Sequence, residues 1–173
     1  MTINELKALV KRLQDGDIAV FDMIYYETKS VVYYTILSIV KDKSLSEDIM
    51  QDTYIKMLEK IHSFKPRYGF KSWLVTIARN MAINEYNRRK RELSFDPSED
   101  EYIFGTVESS SEKELMVKEM LEVLDETERE VVILHVIGDL KHREIAEILK
   151  KPIGTVTWIY NKAINKIKSD FGE

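Results

Sequence analysis

After Arg91 the helical spacing of apolar residues stops, and it does not resume until Glu112. The stretch between, RELSFDPSEDEYIFGTVESSS, has no sustained period, carries Pro97 and Gly105, and is acidic and serine-rich. It reads as a linker. No single continuous core can be built across it, so the chain is expected to fold as two units. Six glycines and three prolines leave few turns elsewhere, which favours helices. The expected fold is all-α: two small helical domains, 1–91 and 112–173, joined by a flexible acidic linker, 92–111. Phe95, Tyr102, Ile103 and Phe104 are apolar enough for part of that linker to dock on a surface.

Composition closes off several classes. An apolar fraction of 44% with 32% charged residues describes an ordinary soluble chain. No apolar run approaches the roughly 20 residues that span a bilayer, and the amphipathic start MTINELKALVKRL is not a signal peptide. The absence of cysteine excludes disulfides and thiolate metal sites and makes a cytoplasmic location the default. The net charge of −4 conceals an asymmetry. Residues 60–91 hold nine Lys/Arg against the single acid Glu85, and residues 141–173 hold seven bases against four acids. The acids concentrate between them, six in 92–111 and nine in 112–140. Two basic segments separated by acidic ones imply two separate polyanion contacts.

In the first unit, Ile3 to Gln14 predicts a short helix with Leu6, Leu9, Val10 and Leu13 on one face. Asp15-Gly16-Asp17 stops it, and Asp17 can cap the next helix, which runs from Ile18 to about Lys41. Its aromatics Phe21, Tyr25, Tyr26, Tyr33 and Tyr34 are expected in the core. A third helix is expected to start at Ser46 as N-cap, with Glu47, Asp48 and Asp52 near its positive end. Ile49, Tyr54, Ile55, Leu58 and Ile61 would form its buried side, leaving Glu47, Asp48, Gln51 and Asp52 as an acidic outer surface. Such a surface is either simply solvated or a partner's contact.

From Phe64 to Arg91, a loop alternating bases and aromatics (Lys65-Pro66-Arg67-Tyr68-Gly69-Phe70-Lys71) runs into a helix expected from Ser72. Leu74, Ile77, Ala78 and Met81 share its apolar face, while Trp73, Thr76, Asn80, Asn84, Asn87 and Arg91 line a neighbouring polar face. The helix leaves through Arg88-Arg89-Lys90-Arg91. Cations, flat rings and amides suit unpaired nucleic acid, because charge tracks phosphate, rings stack on bases and amides read base edges. A basic helix end snorkelling over a core is the other reading.

In the second unit, helical spacing through KELMVKEMLEVL breaks at Asp125-Glu126-Thr127, and EREVVILHVIGDL follows, closed by Gly138. A helix from His142 to Lys150 then turns Ile145, Ala146, Ile148 and Leu149 inward. After Lys151-Pro152-Ile153-Gly154 comes a second helix with Val156, Tyr160, Ala163 and Ile167 on its buried side and Thr155, Trp158, Lys162 and Asn165 opposite. This is a helix-turn-helix pattern, or failing a DNA role an αα-hairpin. His62, His135 and His142 lie at no metal-ligand spacing, and neither a nucleophile–base pair nor a glycine-rich phosphate loop is present, which argues against an enzyme. His135 reads as a packed core residue and His142 as a solvent-facing helix start.

Together the pieces resemble bacterial RNA polymerase sigma factors of the extracytoplasmic-function type, in the sigma-70 family. SEDIMQDTYIKM followed by FKSWLVTIARNMAINEYNRR is similar to the family's region 2. DETEREVVILHVIGDLKHREIAEILKKPIGTVTWIYNKAINKIK is similar to its region 4, in the expected order. The resemblance implies a factor without cofactor or metal that binds core RNA polymerase and directs it to promoter DNA, in a stress or envelope response. Region 2 would bind and open the minus-ten element. The implied contacts are Phe64, Lys65, Arg67, Tyr68 and Phe70 in the loop that holds a flipped base, Trp73, and Asn80 reading a base. Asn84, Asn87, Lys90 and Arg91 complete the implied set. Asp48, Gln51 and Asp52 would dock on the clamp helices of the largest polymerase subunit. Region 4, beside the flap of the second-largest subunit, would read the minus-thirty-five element through Lys151, Thr155, Thr157, Trp158, Asn161 and Lys162. An anti-sigma factor, usually membrane-anchored, is an implied partner, with no membrane insertion by this chain and no added regulatory domain after region 4.

Magnitudes agree with that division of labour. Opening on the order of ten base pairs costs roughly 14 kcal/mol at about 1.4 kcal/mol per stacking step. A few base contacts of about 1–3 kcal/mol each do not hold that open alone, so melting needs the polymerase as scaffold. An extended twenty-residue linker reaches at most ~66 Å, enough for the ~58 Å of about 17 base pairs. One departure stands out. Where many relatives place Lys, Ser and Arg after Gly-Thr-Val, this chain has Thr157, Trp158 and Ile159. Lys151, Lys162, Lys166 and Lys168 remain for phosphate, and Trp158 favours a thymine methyl or a sugar over bidentate guanine reading. A stand-alone regulator using only the helix-turn-helix is the rival reading; it leaves the Phe64–Arg91 stretch without a role.

Overall fold

The computed structural model describes residues 1–65, 68–92 and 112–172. Pro66, Arg67 and the stretch 93–111, including Phe95, Tyr102, Ile103 and Phe104, lie outside the described residues. Among the described residues every regular element is helical. The elements are α1 (Ile3–Gln14), a 3₁₀ turn (Ile18–Val20), α2 (Phe21–Val40), α3 (Lys43–Lys60), a second 3₁₀ turn (Ile61–Ser63) and α4 (Phe70–Glu92). Beyond the undescribed stretch come α5 (Glu112–Glu122), α6 (Glu126–Val132), a π-helical turn (Ile133–Ile137), α7 (His142–Leu149) and α8 (Ile153–Asp170).

Local chemistry sets most of these boundaries. Thr2 and Glu5 form a reciprocal capping box at α1, and Asp125 and Glu128 form another at α6. Asp17 accepts from the Ala19 N–H and caps the 3₁₀ turn. The expected start of α3 at Ser46 is corrected. Asp42 is the N-cap, its carboxylate accepting from the Leu45 N–H at 2.9 Å, while buried Ser46 donates to the Asp42 carbonyl at 2.6 Å. Glu47, Asp48 and Asp52 therefore lie beyond the first turn.

α2 is the central element of the first unit, with Ile24, Val32 and Ile36 fully buried against α3 and α4. Met57, Leu74, Val75, Ala78 and Ala82 complete that core. Thr28 donates to the Ile24 carbonyl at 2.8 Å, so the Tyr54 hydroxyl, 2.7 Å from Thr28 Oγ1, must be the donor between them. Two core expectations are corrected. Ile55 is 56% exposed, because the buried file Ile49, Thr53, Met57 and Ile61 recurs every four residues and carries Ile55 to the far side. Tyr26 is 67% exposed, with the Lys29 ammonium 4.7 Å from its ring centre.

In the second unit, Leu121, Val131, Ile133, Leu134, Ile145, Val156 and Ala163 are the buried centre. Buried Arg129 joins α5 to α6 by donating to the Leu121 and Leu124 carbonyls, each at 3.0 Å. The turn between α7 and α8 passes through Lys150 in the left-handed region. The expectation of a solvent-facing His142 is corrected as well. Its ring lies half-buried against His135 and Tyr160, at centroid distances of 4.7 and 5.1 Å. Its Nδ1 is 3.0 Å from Thr157 Oγ1, and its buried Nε2 has no hydrogen-bond partner among the described residues.

Burial, then the neighbouring His135, holds the His142 imidazole below the ordinary value of 6.5. Just below pH 6.5 the unfolded chain therefore binds a proton that the folded chain refuses, so stability falls as pH drops through that window. The thermal midpoint of this unit should decrease between pH 7 and pH 5, and His142→Gln should flatten that part of the profile. An equal slope in the variant would assign the pH dependence to other groups.

Candidate nucleic-acid and polymerase interfaces

The loop entering α4 is held from both ends. Gln14 Nε2, on α1, donates to the Ile61 carbonyl at 2.9 Å and reaches the Phe64 carbonyl at 3.4 Å. Gly69 takes φ +113°, a conformation that only glycine adopts without strain, and its carbonyl accepts the Trp73 N–H as α4 begins. Phe64, Phe70 and Trp73 form one aromatic cluster with centroids 4.8–5.8 Å apart. Phe70 is buried at 4% exposure and supports the loop from beneath; Trp73 and Phe64 are half-buried, and Lys65 is exposed. Arg67 lies outside the described residues.

Along α4, Asn80, Asn84, Asn87, Lys90 and Arg91 are exposed in one stripe. The other two cations of the exit are already occupied. Arg88 pairs with Glu85 and Glu92, and Arg89 contacts Asp42 at 3.3 Å and Glu85 at 3.9 Å. Lys90 and Arg91 are therefore the free positive charge at this helix end among the described residues. Three amides followed by two free cations form a surface suited to base edges and phosphate.

On α3, Glu47, Asp48, Gln51 and Asp52 are all exposed, and Ile55 extends that stripe. Asp48, Gln51 and Asp52 make no ion pair or hydrogen bond among the described residues, so two carboxylates and an amide are available to a partner. Sequence reasoning missed Ile55 by assigning it to the core. The spacing of the acidic stripe, in which Ile55 stands four residues after Gln51, could have placed it outside.

On α8, Thr155, Trp158, Asn161 and Lys162 are exposed, as is Lys151 in the turn, whereas Thr157 is half-buried. The lysines of this face are tethered. Glu128, only 2% exposed, has Lys162 Nζ 3.1 Å from Oε1 and Lys166 Nζ 2.7 Å from Oε2. Burial pushes the Glu128 carboxyl up, but the hydrogen bonds from Lys166, the Asp125 N–H and Lys162 outweigh it and hold the group below the ordinary carboxylate value.

The two units touch through the candidate site itself. Ser72 Oγ donates to Glu144 Oε1 at 3.1 Å, and the Tyr68 hydroxyl donates to Glu147 Oε1 at 3.0 Å. The Arg143 guanidinium stands 5.6 Å from the Tyr68 ring centre. Farther along, Arg79 pairs with Glu130 at 2.8 Å and buried Lys41 with Glu126 at 2.9 Å. Gly138 faces Val31 so closely that an added Cβ would stand 2.8 Å from Val31 Cγ2. The first helix of the helix-turn-helix thus covers the loop that leads into α4.

An aromatic loop feeding an asparagine-lined basic helix, beside a helix-turn-helix on the same chain, defines an all-helical protein of two units with a helix-turn-helix of the DNA-binding kind. Comparison with known families gives those units their names. Sigma-70 region 2 matches residues 24–92, and Sigma-70 region 4 matches residues 114–157. The chain is 30% identical to the ECF RNA polymerase sigma factor SigM of Bacillus subtilis over 74% of its own length and 80% of that protein. It is 30% identical to the ECF RNA polymerase sigma-E factor of Haemophilus influenzae, over 87% and 86% of the two chains. To SigK of Mycobacterium bovis it is 25% identical over 96% and 93%. In fold it is similar to RpoE of Bartonella quintana, solved with the anti-sigma factor NepR, at TM-score 0.64 and 23% identity over 86% and 94% of the chains. CnrH, solved with the cytosolic domain of CnrY, gives TM-score 0.64 at 20% identity over 95% of each.

The chain belongs to the extracytoplasmic-function RNA polymerase sigma factors. Members are promoter-specific transcription initiation factors that bind core RNA polymerase and promoter DNA. No described helix is long and apolar enough to cross a membrane. Among the described residues no group of three or more His, Asp or Glu side chains could hold a metal ion.

Proposed function

We propose that residues 1–91 dock on the polymerase and take the minus-ten element, and that residues 112–173 read the minus-thirty-five element. The docking contacts are Asp48, Gln51 and Asp52. The minus-ten contacts are the loop residues Lys65, Arg67 and Tyr68, supported by Phe64, Phe70 and Trp73, then Asn80, Asn84, Asn87, Lys90 and Arg91. The observation that carries this reading is that one unit exposes two unpartnered surfaces of opposite character, an acid-and-amide stripe on α3 and an amide-and-cation stripe on α4. The first suits a basic protein surface and the second suits DNA.

Contact with both elements, ~58 Å apart at 3.4 Å per base pair, requires the two units to separate. The contacts between them are ion pairs and single hydrogen bonds at Arg79, Tyr68 and Ser72, the buried Lys41–Glu126 pair, and packing of α2 on the π-helical turn, where Val31 meets Gly138. An exposed polar contact of this kind is worth about 0–1 kcal/mol. Polymerase binding would have to offset these contacts to open the closed arrangement and uncover the loop at Tyr68 and Ser72. Closure should also make the free protein bind promoter DNA poorly. An anti-sigma factor that stabilised the closed form, a cytoplasmic location and a stress or envelope response complete the proposal.

Run-off transcription with core polymerase, with and without this chain, tests it beside a gel shift lacking polymerase. Specific initiation is expected only with both proteins present. Tight duplex binding without polymerase, and no initiation with it, would replace this reading with the stand-alone regulator. Asn80→Ala should lower initiation about tenfold, within the ~1–3 kcal/mol of one base contact, with an unchanged melting temperature. Full activity in that variant would remove Asn80 from the reading set.

A further inference from the structure

The outward face of α8 is short of the groups that read guanine. The helix contains no arginine. Its lysines nearest the turn, Lys162 and Lys166, are held by the buried Glu128 carboxylate at 3.1 and 2.7 Å. Drawing either lysine toward DNA would leave a buried negative charge under-compensated. Thr157 is bonded to His142 at 3.0 Å, and Ile159 is buried on the inward side. At about 100° per residue, Gly154, Trp158, Asn161 and Asn165 share the middle of the exposed face. Ile153 stands at its N-terminal rim.

What this face offers is therefore apolar and amide chemistry. Trp158 is 63% exposed and Ile153 is 54% exposed. The Lys162 ammonium lies 5.3 Å from the Trp158 ring centre, so the indole is steadied on one side and open on the other. Asn161 is exposed one turn further on. In the major groove the one apolar feature of a base edge is the thymine C5-methyl group, and a side-chain amide pairs with adenine N6 and N7.

We propose that α8 reads A·T pairs in the upstream promoter element, with Trp158 and Ile153 packing on thymine methyl groups and Asn161 bonding an adenine. This rests on the reading above in which α8 enters the major groove. Specificity comes from methyl contacts that a cationic recognition helix does not need, and the tethered lysines add attraction to phosphate without selecting a base.

The test uses the complete holoenzyme, core polymerase plus this chain, on a promoter pool randomised only in the upstream element. Members that initiate should be enriched in A and T there. Synthetic duplexes of the best member, with deoxyuridine replacing thymidine only in that element, should initiate about fourfold less per methyl group lost, the worth of one buried CH₂. Trp158→Ala should lose most of the sensitivity to the uracil replacement and the double variant Ile153→Ala, Trp158→Ala all of it, while Asn161→Ala should lose discrimination at one adenine by at least about fivefold. All three side chains are exposed, so these variants should melt at the parent temperature. A G·C-rich enriched element, or equal initiation from thymine and uracil templates, overturns the proposal and assigns Trp158 to contact with a protein. If no member of the pool initiates, the initiation-factor reading itself falls, and this inference falls with it.

Discussion

Reversing two charges on α3, in the double variant Asp48→Lys and Asp52→Lys, should weaken binding to core polymerase by at least about a hundredfold. Both carboxylates are exposed, and neither has an ion-pair or hydrogen-bond partner among the described residues. Their removal therefore costs the fold nothing specific, and surface changes of this kind stay within about 0.5 kcal/mol of stability. Across an interface the balance differs. Two favourable pairs become two like-charge contacts, which costs several kcal/mol, and every 1.4 kcal/mol is tenfold in affinity. Ile55 stands in the same stripe at 56% exposure and should add an apolar contact beside them. Fluorescence polarisation of the labelled chain with core polymerase measures the effect, with a thermal melt as control. Undiminished affinity would move the docking surface off α3.

Glu128→Ala should lower the stability of the helix-turn-helix unit by about 3 kcal/mol, the low end for removing one partner of a buried ion pair. For a unit of this size that is a fall of roughly 15 °C in its thermal midpoint. The carboxylate sits at 2% exposure. It accepts from the Asp125 N–H at 3.0 Å in the capping box and receives Lys162 and Lys166 from α8. Losing it removes the Glu128 half of the capping box, leaving Asp125 to cap α6 alone, and cuts the tie between α6 and α8. Lys162 and Lys166 are 43% and 39% exposed, so water takes them up again and the loss stays below the extreme for fully buried pairs. The freed lysines should also raise non-specific DNA binding and steepen its salt dependence. Calorimetry and a salt titration read the two effects. A stable variant with unchanged salt slope would show that Glu128 holds neither helix nor lysine. Glu128→Gln keeps the shape and should fall between.

Much of the helical plan was legible because its determinants lie within a few residues of one another. The buried face of α1 follows from spacing alone, and Asp125 with Glu128 three residues later already spells a capping box. On α8 the spacing found Val156 and Ala163 but left out buried Ile159, while Tyr160 and Ile167 are half-buried. α3 shows where local reading fails. Ser46 and Asp42 are both acceptable caps, and the choice fell to Asp42 because Ser46 is buried and donates to the Asp42 carbonyl. Ile55 was misplaced because its hydrophobicity was weighed above its phase on the helix.

The candidate site divides in the same way. The aromatic loop, the asparagine stripe and the polar face of α8 lie on contiguous segments, so periodicity and residue chemistry can single them out as candidates. The occupancy of those groups depends on partners far along the chain. Phe70 is buried under Phe64, Arg89 lies against Asp42, Lys162 reaches back to Glu128, and His142 is stacked on His135 and Tyr160. The covering of Tyr68 and Ser72 by Glu147 and Glu144 joins residues more than seventy positions apart. Capping and periodicity act over one or two helical turns and are written into adjacent residues. Which charges remain free for DNA or polymerase is settled only when packing brings distant side chains within hydrogen-bonding distance.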